Sequence, residues 1–299
     1  MRRLFDKLFN KKKYYNDKYS LKTQKDKLNF KNNFENQINK IQSTLVSKKE
    51  ISFLHSGHIG DIINILPILK EISKKSKCNL FIKTNTPNNV DYNDHPAEGF
   101  LLNEKIYKML FPLLKKQEYI NEIEIFSNQS IDINFDLIRD LPINLLFDNS
   151  RYGFHISGVQ VDLNERFLEV GEHESIKNRI VILRSLRYQN PFISYKFLEK
   201  YKPALFIGLP EEYESLKKEL NNLEFYDCKD FLEMASIIKS SKVLIGNSSI
   251  GIDIAEGLKS PRLLEASPYF PARQIHGKNG YDFYFQAHFE KYFDYLLEQ

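Results

Sequence analysis

The sequence has only two cysteines and no long apolar run, and both absences limit what the protein can be. Cys78 and Cys228 lie far apart and have no His or Cys neighbour at the spacing of metal ligands, which argues against a disulfide framework and against a zinc site. No apolar stretch approaches the roughly 18 to 20 residues that a membrane span needs, and the first residues lack the apolar core of a signal peptide. We therefore expect a cytoplasmic protein with reduced, buried thiols.

Net positive charge is lacking in most of the chain and is concentrated in residues 1–50. That segment has 14 Lys and Arg against 5 Asp and Glu, whereas the remainder has 29 against 34. Leu4, Phe5, Leu8 and Phe9 lie at helical spacing among these basic residues, which indicates a short amphipathic helix in peripheral contact with the anionic inner face of the membrane. The alternative is a solvated extension, partly helical and packed on the domain. A nucleic-acid-binding protein would spread its basic surface over the folded body, so we expect no nucleic-acid partner.

The length and the alternation of elements indicate an α/β protein with two domains. A chain of 299 residues accommodates two doubly wound domains of about 100 to 150 residues each. Strand and helix patterns alternate from Ile51 onward and start again near Arg179, which predicts a parallel sheet in each half. We predict a basic extension over 1–50, a first domain over 51–165 and a second over 166–299.

The first chemical signal is a glycine-containing turn between a predicted strand and a predicted helix. Gly57 and Gly60 are expected to allow positive φ and close backbone approach, and the helix start above them suits an anion or a polar substrate. Asp61 is the acid of this turn, so it either caps the helix or acts as a base beside a bound substrate. His58 is a further candidate for substrate contact, although a turn histidine is often incidental.

A second turn of the same kind lies in the other half, from Gly246 to Gly251. Asn247, Ser248 and Ser249 place amide and hydroxyl groups, with free backbone N–H groups, at one helix start. A diphosphate is the natural occupant of such a turn. Two such turns, one in each domain, fit a cleft with an acceptor on one side and a nucleotide diphosphate donor on the other.

Charged residues near the second turn complete the predicted donor site. Arg184 and Arg187 follow the first strand of the second domain, where a loop projects from the carboxyl end of the sheet. One of them is expected to neutralise a leaving diphosphate, because no acidic cluster at metal-ligand spacing is present and no metal is expected. The alternative is a surface arginine pair. Glu256, further along the helix, is a candidate ribose contact or an exposed helix acid.

Several stretches resemble one enzyme family. Residues 55–69 are similar to the first motif of the ADP-heptose:lipopolysaccharide heptosyltransferases, in which a Gly-Asp pair opens a helix that carries Leu-Pro. Residues 206–212, and the continuous stretch 240–261, resemble the donor half of that family. The resemblance covers about 51–75 and 179–265.

The resemblance implies a glycosyltransferase B-type fold, in which two Rossmann-like domains face each other across a cleft. It also implies metal-independent inverting transfer, with a nucleotide sugar as substrate and no cofactor. By position, Asp61 matches the acid to which the family assigns the role of general base. Asn247, Ser248 and Ser249 match the Asp-Ser/Thr-Gly turn that holds diphosphate, which makes 51–165 the acceptor domain and 166–299 the donor domain.

The sequence departs from the family at two positions and over one region. The acid of the donor turn is replaced by Asn247, and the histidine that usually follows is Ile252 or Asp253, depending on where one extra residue is placed. Residues 84–165 do not match, so the identity of the acceptor cannot be inferred from the family.

The expected activity is transfer of a hexosyl or heptosyl group to a hydroxyl of a glycan or glycolipid, as in the synthesis of lipopolysaccharide or another surface glycan. Two alternatives remain at this stage. A nucleotide-sugar 2-epimerase has the same fold, and the two departures are compatible with a non-catalytic module that binds a sugar or a nucleotide.

Overall fold

The computed structural model describes residues 2–88, 96–141 and 148–298, with the side chains from Phe5 onward. The sequence pattern also predicts a loop at 84–96 and a short strand at 145–147; that strand and part of that loop lie outside the described residues.

The basic extension is helical. It forms α1 (Arg2–Phe9), α2 (Lys11–Asn33) and α3 (Glu35–Ser47). The third helix is anchored to the body, because Ile41 and Thr44 are buried and the Gln42 side chain donates a hydrogen bond to the Ser157 carbonyl at 2.8 Å. None of the 23 residues of α2, all of which are described, is buried.

The described strands of the first domain form a four-stranded parallel sheet. In chain order its elements are β1 (Glu50–His55), α4 (Ile59–Ser73), β2 (Lys77–Ile82), α5 (Glu104–Lys115), β3 (Glu122–Ile125), β4 (Ile133–Asn134) and α6 (Tyr152–Ser157). The strand order is β3-β2-β1-β4, so β1 is central and the turn that follows it lies in the middle of the sheet edge.

The second domain is a six-stranded parallel sheet with helices on both faces. Its elements are β5 (Ile180–Leu183), β6 (Ala204–Phe206), α7 (Pro210–Lys217), β7 (Leu223–Phe225), α8 (Phe231–Ser240), β8 (Val243–Gly246), α9 (Ile250–Leu258), β9 (Arg262–Glu265), β10 (Gly280–Phe283) and α10 (Gln286–Glu298). The described strands have the order β10-β9-β8-β5-β6-β7, which places the end of β8 beside the end of β5.

A single apolar core joins the two domains. It contains residues of the first sheet and of α4 and α5, together with one face of the second sheet and of α8 and α9. The core is continuous between the two domains because α4 packs on α9 and α5 packs on α8. The other face of the second sheet packs on α10 through Phe289 and Phe293 in a separate core. The boundary at 165/166 stays a prediction.

Most predicted elements are present, and three differ. The residue pattern predicts a strand at 135–136, but this segment is a 3₁₀ helix (Phe135–Arg139), because the Asn134 side chain accepts the Asp136 N–H at 2.9 Å and turns the chain. The pattern also predicts a helix over 194–200, where the structure has a 3₁₀ helix over Lys196–Lys200. Strand β10 is an additional element.

Candidate functional site

The turn after β1 is held by short contacts around Gly57. The His55 ring Nδ1 accepts the Gly57 N–H at 2.8 Å. A Cβ at Gly57 would lie 2.6 Å from both Arg139 Nη2 and Asp61 Oδ2. Neither Gly57 nor Gly60 has a positive φ, so that expectation was wrong, and close approach is the reason for glycine here.

Asp61 lies in the first turn of α4 and caps that helix. Its Oδ2 accepts the backbone N–H of His58 at 3.1 Å and lies 3.4 Å from Nη2 of Arg139. About a third of the Asp61 side chain remains exposed (32%), so the capping carboxylate is also accessible to a substrate. The two alternatives for Asp61, cap and base, are therefore compatible, and the role as a base stays a prediction.

A small cavity of about 90 Å³ adjoins Asp61. Its polar lining comes from His55, Asp61, Asn64, Arg139, Asn149 and Tyr152. Asn149 Oδ1 is buried and has no hydrogen-bond partner among the described residues. Asn149 and Tyr152 were not predicted from the sequence, because they reach Asp61 only through the packing of the 3₁₀ helix Asn149–Arg151 and α6 on α4. The cavity offers a hydroxyl-bearing group a polar place beside the carboxylate.

Burial determines the charge of the groups around this cavity. It lowers the pKa of His55 and of His58, so both rings are neutral near pH 7. Burial alone would raise the pKa of Asp136, but the attraction of His55, hydrogen bonds from Ser56 and the charge of Arg139 together hold that pKa below its ordinary value. Near this cavity the first domain therefore has an ionised Asp136 carboxylate paired with Arg139.

The second turn connects β8 to α9, and its Asn247 is buried. Asn247 Oδ1 accepts the Ser185 N–H at 2.9 Å, and its Nδ2 donates to the carbonyls of Ser185 (2.9 Å) and Arg187 (2.6 Å). Asn247 thus holds the loop after β5. Ser248 and Ser249 are partly exposed at the start of α9, while Gly251 is buried and a Cβ there would lie 3.2 Å from that of Leu183.

The two predicted arginines have different environments. Arg184 is buried, and its Nε and Nη2 donate to the two Glu265 oxygens at 2.6 and 2.9 Å. Burial opposes its charge, but the bonds to Glu265 outweigh burial and raise the Arg184 pKa. Because Tyr195 also donates to Glu265, at 2.9 Å, Arg184 belongs to a buried network inside the second domain.

Arg187 is half-buried and lies between the two domains. Its positive charge adds to the effect of burial in lowering the pKa of His58 in the first domain, and it opposes the rise in the pKa of Glu212 in the second. The next residue, Tyr188, has a φ of +58° and stacks on Phe270 with ring centroids 4.5 Å apart. Of the two arginines, Arg187 is the one near the predicted acceptor turn.

Glu212 is an additional acid in the second domain. It is buried beside the end of β6, and its Oε2 accepts the Leu209 N–H at 2.9 Å. Burial raises the pKa of Glu212 to about 7, despite the opposing charge of Arg187. The signal for it in the sequence was the acidic pair after Pro210.

Glu256, the candidate ribose contact, is buried in α9. One oxygen is bound by Arg262 and the other by Lys259 at 2.8 Å. The His276 N–H lies 3.3 Å from the second oxygen. Both oxygens are therefore engaged within the second domain, and a contact with ribose stays a prediction.

The two helix starts meet at Asp253. A Cβ at Gly60 would lie 2.4 Å from Asp253 Oδ2, so α4 begins directly against the first turn of α9. Asp253 forms an ion pair with Arg273, and Arg273 Nη1 donates to Asn64 Oδ1 at 3.1 Å. Burial lowers the pKa of Arg273 to about 10. Of the two residues considered for the missing histidine, Asp253 lies at this contact and Ile252 is buried in the core.

Two further observations concern metals and membranes. Among residues 2–88, 96–141 and 148–298, no group of three or more His, Cys, Asp and Glu side chains is placed to hold a metal ion. No helix in the described part of the chain is long and apolar enough to cross a bilayer.

Comparisons with known proteins establish the fold. Neither a protein-family model nor a curated protein sequence matches the chain. The E. coli heptosyltransferase WaaC, solved with ADP, superposes with a TM-score of 0.52 at 9% identity over 82% of this chain and 99% of WaaC. E. coli ADP-heptose LPS heptosyltransferase II gives 0.50 at 12% identity, over 84% and 99%. A UDP-GlcNAc 2-epimerase from Methanocaldococcus jannaschii, in complex with UDP-GlcNAc and UDP, gives 0.38 at 16% identity, over 84% and 93%.

The chain therefore has the glycosyltransferase B-type fold, with two Rossmann-like domains. The predicted resemblance to heptosyltransferases is confirmed at the level of the fold, and the low identity fits a divergent sequence.

Proposed function

We propose that the protein transfers a hexosyl or heptosyl group from a nucleoside diphosphate donor to a hydroxyl of a glycan or glycolipid, with inversion. The observation that carries the proposal is the contact between Asp253 and Gly60, which joins the start of α9 to the start of α4. The Asp61 carboxylate on one domain thereby lies near the start of a helix on the other, and helix starts favour anions. The shared fold with WaaC, which was solved with ADP, supports a nucleotide donor.

In the proposed reaction, Asp61 removes the proton of the acceptor hydroxyl. The hydroxyl oxygen attacks the anomeric carbon from the face opposite the diphosphate. The bond between that carbon and the diphosphate oxygen breaks, and the electron pair leaves with the diphosphate. The backbone N–H groups at the start of α9, with Ser248 and Ser249, stabilise the departing charge. Arg187 supplies the positive side chain of this site.

Binding and product analysis test the proposal. The full chain is screened by thermal shift against nucleoside diphosphates and their sugars, since a ligand at 100 times its Kd stabilises a protein by about 2.7 kcal/mol. Bound donors are then incubated with and without glycan acceptors, and products are identified by mass spectrometry. A glycosylated acceptor supports transfer, whereas an isomerised nucleotide sugar without acceptor indicates an epimerase. Binding without turnover or donor hydrolysis indicates a non-catalytic module.

The role of Asp61 is tested by Asp61→Asn. Loss of the base lowers kcat by roughly 10² to 10⁴ and leaves nucleotide affinity nearly unchanged. The matched control is Glu104→Gln, which neutralises the first-turn acid of α5 and is expected to keep the parent rate. A near-normal rate for Asp61→Asn would remove this residue from the mechanism.

A further inference from the structure

The first helix exposes an apolar face. Phe5, Leu8 and Phe9 are 63%, 67% and 73% exposed, and the rings of Phe5 and Phe9 lie 4.7 Å apart. Their spacing places them on one side of α1. A contiguous group of large apolar side chains in water marks an interaction surface.

The second helix combines exposed aromatic side chains with positive charge. Tyr15 and Tyr19 are 61% and 74% exposed, one turn apart. The exposed lysines of α2 are Lys11, Lys12, Lys13, Lys18, Lys22, Lys25, Lys27 and Lys31. Since α2 buries no residue, these side chains have no structural role in a core. Helices α1 and α2 (residues 2–33) together form the arm.

A groove of about 700 Å³ separates the arm from the first domain. Phe30, Ile38 and Leu141 contribute apolar lining, and Lys22 and Lys27 contribute charge. The groove also reaches α6, which carries Tyr152 of the cavity beside Asp61. The arm therefore lies on the acceptor side of the molecule.

We propose that the arm docks the protein on an anionic phospholipid surface. The apolar face of α1 enters the interface, the tyrosines lie at headgroup level, and the lysines of α2 contact lipid phosphates. The apolar face favours a bilayer over a nucleic acid, because the phosphate backbone of a nucleic acid offers exposed Phe and Leu side chains no apolar environment. Docking does not depend on sugar transfer, but it would present a membrane-held glycolipid to the acceptor cavity.

Vesicle co-sedimentation of the full chain tests the proposal. We expect binding to phosphatidylcholine vesicles that contain phosphatidylglycerol, much weaker binding to pure phosphatidylcholine, and loss of binding as salt increases. The variant Lys18→Gln/Lys22→Gln/Lys25→Gln should bind anionic vesicles at least ~tenfold more weakly, because each lysine near the surface contributes about fivefold. The variant Phe5→Ser/Leu8→Ser/Phe9→Ser should also bind at least ~tenfold more weakly, since the membrane loses three apolar side chains.

Matched controls separate the arm from general surface charge. Lys105→Gln/Lys108→Gln/Lys115→Gln removes three exposed lysines from α5, and Val46→Ser removes a side chain that is 90% exposed. Both should bind vesicles like the parent. All variants should melt at nearly the parent temperature, because none of the substituted residues is buried.

Three outcomes would overturn docking: equal binding to neutral and anionic vesicles, arm variants that bind like the parent, or α5 variants that lose as much as arm variants. Tighter binding to RNA than to vesicles would assign the arm to a different partner. Activity on a soluble acceptor is measured in parallel and should be unchanged in the arm variants. If neither the parent nor any variant transfers sugar, the proposed reaction is wrong. The docking proposal still holds in that case, provided that vesicle binding depends on anionic lipid and on the arm as expected.

Discussion

The buried side chain of Asn247 donates a hydrogen bond from Nδ2 to the carbonyl oxygen of Arg187 at 2.6 Å, and so fixes the loop that carries this arginine. The same Nδ2 donates to the Ser185 carbonyl, while Oδ1 accepts the Ser185 N–H. An aspartate in this place has no N–H group for the two carbonyls. The loop after β5 therefore requires an amide, and not a carboxylate, at position 247.

Replacing Asn247 by Asp tests this positioning role. A carboxylate facing two carbonyl oxygens should displace Arg187, reduce nucleoside diphosphate affinity by about tenfold and lower the free energy of unfolding by ~1–3 kcal/mol. Affinity is measured by calorimetry, and stability by urea unfolding. Part of the affinity should return at low pH, where a protonated Asp donates one hydrogen bond. The same change at the exposed Asn39 is the control, and equal effects at the two positions would contradict the prediction.

Ser249→Glu tests the donor turn. A longer, negatively charged side chain at the start of α9 should repel a diphosphate and fill its space, weakening nucleotide binding by more than ~tenfold. Ser127→Glu, on an exposed loop of the first domain, should have no effect. Mg²⁺ and EDTA should leave the transfer rate unchanged, because the proposed leaving-group stabilisation comes from the chain. Unaltered binding by Ser249→Glu, or a metal requirement, would refute this donor site.

The buried pair of Arg184 and Glu265 predicts a large stability effect. Arg184→Met leaves the Glu265 carboxylate buried without its cation and should cost ~3–5 kcal/mol of unfolding free energy. Adding Glu265→Gln should restore part of the loss. At the more exposed pair of Arg179 and Glu224, Arg179→Met should cost at most ~1 kcal/mol. If urea unfolding gave equal losses of unfolding free energy for Arg184→Met and Arg179→Met, the prediction that burial strengthens the effect at Arg184 would be wrong.

The lowered pKa of His55 predicts a pH dependence of stability. Below its ordinary pKa of 6.5, the unfolded chain takes up a proton that the folded protein excludes, so stability is lost as pH falls and is present in full above 6.5. His55→Asn keeps an acceptor for the Gly57 N–H but does not titrate. Relative to the parent, the His55→Asn variant should therefore become more stable as the pH is lowered from 7.5 to 5.5. The variant Ser127→Asn, at an exposed position that does not titrate, should show no such change.

Local signals made part of this structure predictable. Pro210 begins α7, and Asp230 caps α8 by accepting the Glu233 N–H at 2.8 Å, as the sequence indicated. By contrast, Phe135 has the residue type of a strand but lies in a 3₁₀ helix, because Asn134 turns the chain first. Strand β10 escaped prediction because its polar and aromatic residues lack the apolar pattern of a buried strand, and its pairing with β9 is set by the sheet.

Side-chain pairing was the less predictable part of the candidate site. Both glycine turns lie where strand–turn–helix patterns placed them. The partners of Glu256 and Arg184 depend on which elements pack together, and a sequence pattern contains no such information. The cavity beside Asp61 is of the same kind, since Tyr152 reaches it from a helix distant in the sequence.

The apolar core shared by α4, α5, α8 and α9 has a consequence for unfolding. Separation of the two halves would expose side chains such as Met234 and Ile238 to water, along with the charged pair of Asp253 and Arg273. The halves therefore lose their structure together, in one cooperative transition. Heat capacity measured through the melt should show a single peak, and the second half expressed by itself should be prone to aggregate.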